Sequence, residues 1–294
     1  MDIDELIQFA ENNQLIRVLF YPAIIVRRFG WNLRESIQDD ILDNLFDILD
    51  DDPVIKVNEF HGKFIVGCRS DIFRQTVKNK AYEPKLAQCC LNYLNPDRDV
   101  IDIGANIGFY TVLFGKELVG KKVLAIEPTP RALSLLYKNL LLNNIQDTTI
   151  VFEGVVSDQL GELDIHTITG KEEYSSLGAM EHPRISKGIL TTLKVVSTTV
   201  DQLVKQHSLD PGFIKIDVEG MEHLVFAGMQ DVLKEKRPVI LSELSVPLLR
   251  KNGSSPEEVI KFIKQYDYDI VDPILDRMKP GRRKFGEILC LPRN

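Results

Sequence analysis

What this sequence lacks sets its outer limits. It has no excess of basic charge: 36 Lys and Arg stand against 43 Asp and Glu, a formal net charge of −7. Nothing therefore draws the chain as a whole toward a phosphate backbone, and small or neutral partners fit better than nucleic acid. It has only four cysteines in 294 residues, Cys68, Cys89, Cys90 and Cys290. They show no metal-ligand spacing, and the adjacent pair cannot easily bridge to itself, so a reducing compartment and a cytoplasmic location are expected. It also lacks an apolar run long enough to span a bilayer. The longest near the start, "VLFYPAIIV" from Val18 to Val26, is broken by Pro22 and follows acids rather than the basic flank of a signal peptide. That stretch reads as a buried or dimer-contact segment, while Arg27 and Arg28 beside it leave peripheral membrane contact open. Neither an internal repeat nor a low-complexity tract occurs.

What is present suffices for one large core with a smaller appendage, since 44% of the residues are hydrophobic. Residues 1–80 differ from the remainder. "RESIQDDILDNLFDILDDD" carries Ile37, Ile41, Leu42, Leu45, Phe46, Ile48 and Leu49 at helical spacing, with aspartates on the outer face. "PVIKVNEFHGKFIVGC" has two alternating stretches around His61 and Gly62, the pattern of a hairpin. This region is expected to be an N-terminal α+β cap or an oligomerisation element, which leaves a homo-oligomer open.

From about Tyr82 strand-like runs alternate with helical ones, the signature of a parallel sheet covered on both faces. The runs are "DVIDIG", "KVLAIEP", "TIVFEG", "FIKIDV", "PVILSEL", "YDIVDP" and "EILCLP". Helices are expected at "RALSLLYKNLLLNN" and at "SPEEVIKFIKQY", which opens with a serine, a proline and two acids as helix starts do. Between Val155 and Thr199 the pieces "GELDIHTI" and "TLKVVSTTV" flank a polar loop, which predicts a β-rich insertion after the third strand.

The stretch "DVIDIGANIGFYT", Asp99 to Thr111, ends a buried strand in Asp102 and follows it with Gly104 and Gly108. Bare glycines at a strand tip let a ligand approach the main chain, although a tight turn and helix packing explain them as well. A dinucleotide fingerprint would place a second glycine where Asn106 stands, and an acid at Asp102 repels a diphosphate while suiting an ammonium group. Glu127 ends the next strand, about twenty residues on, where an acid accepts both hydrogen bonds of a ribose diol. An ammonium and a ribose on one ligand describe S-adenosylmethionine. Helix capping by Asp102 and a turn role for Glu127 remain the simpler readings of each residue alone.

At these residues the chain resembles the FkbM-type methyltransferases, within the class I S-adenosylmethionine-dependent fold. The resemblance spans roughly Tyr82 to Pro292 and rests on "YEP" (Tyr82 to Pro84), "DIGANIGFYT", "AIEPTP", "VVSD" (Val155 to Asp158), "SSL" (Ser175 to Leu177), "TTVDQL" and "KIDVEGMEHLVFAG". It implies a Rossmann-like α/β domain over residues 81–294, whose seven-stranded sheet is parallel except for its last strand. It implies O-methylation of hydroxyls on sugars, glycolipids or other natural products. It also implies cofactor roles for Glu83 near the methionine end, for Asp102, Gly104, Asn106, Gly108 and Thr111 around it, for Glu127 at the ribose, and for the "VVSD" corner, Asp158 included, at the adenine. Ser175 and Ser176 it places near the substrate opening.

Methyl transfer to a hydroxyl demands in-line alignment of the acceptor oxygen, and a neutral alcohol must also lose its proton. Candidates cluster in "IKIDVEGMEH". Lys215 and Asp217 alternate on one side of a strand, Glu219 follows its end, and Glu219 and His223 would share a face if a helix starts there. Asp217 is the first choice for base or substrate-orienting acceptor, with Glu219 and His223 behind it and Lys215 on the substrate side. Lys215 and Asp217 as a structural ion pair, Glu219 as a first-turn acid and His223 as a packing residue are the alternatives. Asp217 with Glu243 would offer oxygen ligands to magnesium, an arrangement without a clear third ligand. The basic stretch "RMKPGRRKFG" reads as a solvated hairpin loop or a contact for an acidic substrate. Methylation of a nitrogen or carboxyl acceptor, a catalytically idle cofactor-binding scaffold and a nucleotide oxidoreductase stay open as other functions.

Overall fold

The computed structural model describes residues 52–67, 70–79, 81–168, 190–274 and 286–293. The helix expected at "RESIQDDILDNLFDILDDD", the "VLFYPAIIV" segment, Ser175, Ser176 and most of the basic "RMKPGRRKFG" stretch lie outside them. The chain divides into two compact units, Met1–Pro84 and Lys85–Asn294.

In the first unit, β1 (Val54–Val57) and β2 (Gly62–Ile65) pair antiparallel with Val57 opposite Gly62. The connection is a short 3-10 turn, Asn58–Phe60, closed by His61 in the left-handed region at φ 52. Alternation puts Ile55, Val57 and Phe64 on one face, where they and Phe60 are fully buried. Helix α1 (Asp71–Asn79) follows, with Ser70 accepting from the Phe73 N–H ahead of it.

Helix α2 (Pro84–Tyr93) leads into the second unit. Its strands and helices alternate as β3 (Asp99–Ile103), α3 (Phe109–Glu117), β4 (Val123–Glu127), α4 (Pro130–Leu142) and β5 (Thr149–Glu153). Then come β6 (Val155–Val156), β7 (Gly161–Ile168), β8 (Leu190–Thr198), α5 (Val200–His207), β9 (Pro211–Ile216) and α6 (Glu222–Ala227). A π-helical turn at Val232–Lys236 precedes β10 (Val239–Glu243), α7 (Val246–Lys251), α8 (Pro256–Lys264), β11 (Tyr268–Val271) and β12 (Glu287–Pro292).

Seven of these strands form one sheet in the order β11-β12-β10-β9-β3-β4-β5. Neighbours from β10 to β5 run parallel, and β12 runs antiparallel to both β10 and β11. The seven apolar runs of the sequence are these seven strands, and the last of them is the antiparallel one. They read as continuous apolar runs because helices cover both faces: all six residues of β9 and all five of β4 are buried. One face packs Ile101, Ile103, Leu124, Ile126, Ile214 and Ile216 against Leu203, Val225, Phe226 and Val259. On the other, Phe114 of α3 meets Phe213 of β9 at 5.7 Å between ring centroids. Ser255 caps α8 by accepting from the Glu258 N–H, as the serine-proline-acid opening predicts.

The insertion after β5 is a second sheet of order β6-β8-β7, with β7 and β8 antiparallel from Gly161 opposite Ser197 to Ile168 opposite Leu190. Among the described residues no helix is long and apolar enough to cross a membrane. Cys89, Cys90 and Cys290 are buried, and Cys89 and Cys290 are free thiols.

Candidate active site

Strand β3 lies inside the sheet between β4 and β9, so its tip meets theirs. The loop it feeds, Gly104 to Gly108, is fixed on every side. The N–H groups of Gly104 and Ala105 both donate to the Ile126 carbonyl at 3.0 Å, and that of Gly108 donates to Ala105. The Asn106 N–H donates to Glu127 Oε2 at 2.9 Å, and Asn139 of α4 donates to the Ile107 carbonyl at 2.8 Å. Gly104, Asn106 and Gly108 have φ of 79, 50 and 93.

The structure supplies an internal reason for each glycine. A Cβ on Gly104 would come to 1.8 Å from the Asp217 carbonyl oxygen, and one on Gly108 to 2.6 Å from Leu136 Cδ1. The bare position at Gly104 therefore lets the tips of β3 and β9 close on each other, the packing role weighed beside the approach of a ligand.

Asp102 is 0% exposed. Its Oδ2 accepts from the Thr111 hydroxyl at 2.6 Å, while its buried Oδ1 has no partner. Burial pushes its carboxyl above the usual range, and Lys215 and the Thr111 hydroxyl pull it back. The expected direct contact with a ligand ammonium has no exposed Asp102 surface to use in this conformation. Thr111, likewise expected at the cofactor, is buried and serves Asp102.

Glu127 is nearly buried at the tip of β4. Its Oε1 accepts from the Thr129 N–H at 2.9 Å and hydroxyl at 2.6 Å, and its Oε2 from Asn106. Burial raises its carboxyl and the Thr129 and Asn106 bonds oppose that rise. The carboxylate thus locks the glycine loop to the start of α4, with lone-pair capacity left on Oε2.

Across β3, Asp102 stands in register with Lys215 of β9. The Lys215 ammonium sits 3.2 Å from Asp217 Oδ2 and 4.7 Å above the Tyr110 ring, with the lysine side chain 9% and the aspartate 35% exposed. The ion pair weighed as an alternative is present, and it leaves Asp217 the more accessible partner.

The turn beyond corrects one expectation. The helix begins at Glu222, not at Glu219, because Glu219 (φ 51) and Gly220 (φ 94) take consecutive left-handed conformations. Glu219 and His223 therefore do not share a helical face. The charges acting on half-buried His223 are Asp158 and Glu258, which only partly offset the lowering of its pKa by burial. Asp158 itself is exposed.

Glu243 is exposed and stands opposite Glu287 in the ladder. Among the described residues no group of three or more His, Cys, Asp or Glu side chains is arranged to hold a metal ion. Glu83, at φ 43, belongs to the first unit and is described only within it.

Sequence reasoning missed Glu222. This residue is 1% exposed, its Oε1 accepts from the Gly220 N–H at 3.1 Å, and its Oε2 is buried without a partner. Burial pushes its carboxyl up to about 7, with its own N–H and that of Gly220 opposing and Asp217 reinforcing the rise. It lies within the quoted "DVEGMEH", yet nothing in the letters marks it as buried. The tips of β3, β4 and β9 thus gather Asp102, Thr111, Lys215, Asp217 and Glu222 around one edge of the glycine loop and Glu127 at the other.

A parallel sheet with one antiparallel strand and carboxylates at adjoining tips defines an α/β domain built to bind a ligand at its strand ends. The model of the methyltransferase FkbM domain matches residues 102–270, more than half of the chain, beginning at Asp102. The chain belongs to this family of methyltransferases. Hexuronic acid methyltransferase AglP of Haloferax volcanii is 24% identical over 213 residues, 72% of this chain and 80% of that protein. Methyltransferase FkbM from Methylobacillus flagellatus KT superposes with a TM-score of 0.43 at 15% identity, over 75% of this chain and 54% of that one, so this chain spans about half of its length. An O-methyltransferase from Bacillus cereus in complex with SAH gives a TM-score of 0.41 at 13% identity, over 86% and 97% of the two chains.

Proposed function

We propose that this chain transfers a methyl group from S-adenosylmethionine to an oxygen of a saccharide, with a hydroxyl as the acceptor. The observation that carries this reading is the pair of carboxylates, Asp102 and Glu127, on either side of a loop in which the N–H groups of Gly104, Ala105, Asn106 and Gly108 already have protein acceptors. Glu127 would accept from the ribose hydroxyls through its remaining lone pairs. Asp102 would act through its field on the cationic end of the donor. S-adenosylmethionine supplies the methyl group on a sulfonium, an electrophile that needs no further activation.

This chain's own residues have two tasks, alignment and proton removal. Holding the acceptor oxygen in line is worth roughly 7 to 11 kcal/mol of the barrier, and a placed base adds roughly 10²- to 10⁴-fold. Asp217, the half-exposed carboxylate at the tip of β9, would take the hydroxyl proton, and Lys215 at 3.2 Å would fix its orientation. Glu83, Asp158, Ser175 and Ser176 enter on the resemblance alone, and Glu219 and His223 on the residue pattern of "IKIDVEGMEH". The saccharide acceptor is supported by the hexuronic acid named for the relative from Haloferax volcanii. A carboxyl acceptor is the second reading, because such an acid occurs in that name and a carboxylate needs no base.

Mass spectrometry of a hexuronic-acid oligosaccharide incubated with S-adenosylmethionine and the protein tests both. A gain of one methylene unit that alkali does not remove supports the hydroxyl, an alkali-labile gain supports the carboxyl, and no gain together with no calorimetric heat from S-adenosylhomocysteine refutes the proposal.

A further inference from the structure

Both main-chain polar groups of Gly220 are held by side chains from different helices. Its N–H donates to Glu222 Oε1 at 3.1 Å, and its carbonyl accepts from Asn252 Nδ2 at 3.2 Å. Glu222 opens α6, while Asn252 closes α7 from the other side of the turn. Between them Gly220 is enclosed: a Cβ there would lie 2.6 Å from Leu248 Cβ and 2.7 Å from the Leu248 carbonyl carbon. The turn needs this support, because Glu219 is a non-glycine residue at φ 51, a left-handed conformation that side chains rarely adopt. Glu222 adds a cost of its own as a carboxyl 1% exposed with one oxygen unpartnered.

The turn is tied directly to the reactive tip. Three residues before Gly220, the Asp217 N–H donates to the Ile103 carbonyl at 3.0 Å, and the Asp217 carbonyl lies against Gly104. We propose that Glu222 and Asn252 are positioning residues that grip Gly220 from both sides and thereby fix Asp217 beside the glycine loop for methyl transfer. The methyl-transfer part rests on the function proposed above; the grip itself does not.

Full-length wild type, Glu222→Ala, Glu222→Gln, Asn252→Ala and the Glu222→Ala/Asn252→Ala double variant test it by amide hydrogen exchange and by kinetics. The Asp217 amide, whose own acceptor is untouched, is expected to exchange about tenfold faster in each alanine variant, with the double variant short of the product of the singles. Glu222→Gln keeps the oxygen that Gly220 uses and is expected to restore slow exchange. With labelled S-adenosylmethionine and a hexuronic-acid oligosaccharide, kcat should fall about tenfold or more in the alanine variants, KM for the donor should stay within about twofold, and Glu222→Gln should recover most of the rate. Unchanged Asp217 exchange, strictly multiplicative effects, or equal losses in kcat and in S-adenosylhomocysteine affinity would each overturn the grip. If Glu222→Ala does not fold, Asn252→Ala and Glu222→Gln decide by the same measurements. A wild type that neither binds S-adenosylhomocysteine nor methylates the oligosaccharide refutes the function, while the exchange data still decide the grip.

Discussion

Replacing Glu222 by glutamine should change how stability depends on pH, with a sign and size that follow from burial. The Glu222 carboxyl is raised from 4.5 to about 7, chiefly because a 1% exposed site disfavours the charge. Between those two pH values the folded chain holds a proton that the unfolded chain has released. Unfolding stability therefore falls as pH rises through that window, and the penalty is absent below about 4.5 and fully developed above about 7. At about 1.4 kcal/mol per pH unit, the whole penalty is roughly 3 kcal/mol, of which roughly 2 kcal/mol develops between about pH 5.5 and pH 8. Glutamine retains the acceptor for the Gly220 N–H and titrates nowhere. Its amide nitrogen takes the unpartnered Oε2 place at a cost of about 1 to 3 kcal/mol, but that cost is the same at every pH. Urea titrations of wild type and variant at about pH 5.5 and about pH 8, read at matched slopes, isolate the difference. The variant should gain roughly 2 kcal/mol on wild type between the two conditions. A difference constant to within about 0.5 kcal/mol would mean that Glu222 is ionised in both states, and the reasoning from burial would fail.

Gly104→Ala places a methyl group 1.8 Å from the Asp217 carbonyl at φ +79 and should cost roughly 3 kcal/mol or more, seen as a lowered melting temperature or loss of soluble protein. Thr111→Val removes the 2.6 Å hydroxyl bond to a carboxylate whose other oxygen already lacks a partner, so chemical denaturation should show a loss of roughly 1 to 3 kcal/mol. S-adenosylhomocysteine at about 100 times its Kd should stabilise the chain by about 2.7 kcal/mol in a thermal melt, with NAD giving no shift; stabilisation by NAD alone would reverse the assignment. Glu127→Ala should weaken S-adenosylhomocysteine binding about tenfold or more by calorimetry, since it removes both the ribose acceptor and the acceptor for the Asn106 N–H.

The sheet was legible because its physics is local. A strand buried on both faces is a near-continuous apolar run, so β3, β4 and β9 are visible as "DVIDI", "VLAIE" and "PGFIKI" despite the buried Asp102, Glu127 and Lys215. The β7 strand begins and ends where alternation in "GELDIHTI" predicts, because one register pairs it with β8 along its whole length. The site was less legible because its determinants are long-range. That Gly104 must be bare is decided by Asp217, more than a hundred residues away, and no local pattern carries that contact. The start of α6 shifts from Glu219 to Glu222 because Gly220 is enclosed by Leu248 and Asn252, residues of another helix. Glu222 looks like an ordinary first-turn acid until its burial is known. Asp102 and Thr111 were found by position, but their mutual bond, which removes both from the surface, emerges only when β3 and α3 pack.

That bond also bears on which ligand the loop can take. The start of a helix behind a glycine turn is ordinarily a seat for a phosphate, since unpaired N–H groups and about half a positive charge from the helix converge there. Here the seat is filled from within. Asp102 brings a carboxylate to the start of α3, where the Thr111 hydroxyl bonds to it at 2.6 Å. The N–H groups of Gly104, Ala105, Asn106 and Gly108 all donate to protein oxygens. A diphosphate would have to displace those acceptors and lie against Asp102 and Asp217, with Lys215 already paired to the latter at 3.2 Å. A ligand that offers hydroxyl donors and positive charge meets no such conflict, because Glu127 still has lone pairs to give and the field from the carboxylates favours a cation. The discrimination therefore comes from what the loop's own groups already bind, so Asp102→Asn, which weakens the internal anion, should loosen the preference against NAD before it abolishes binding of S-adenosylhomocysteine. If calorimetry finds the ratio of the two affinities unchanged in Asp102→Asn, the internal carboxylate is not what sets it.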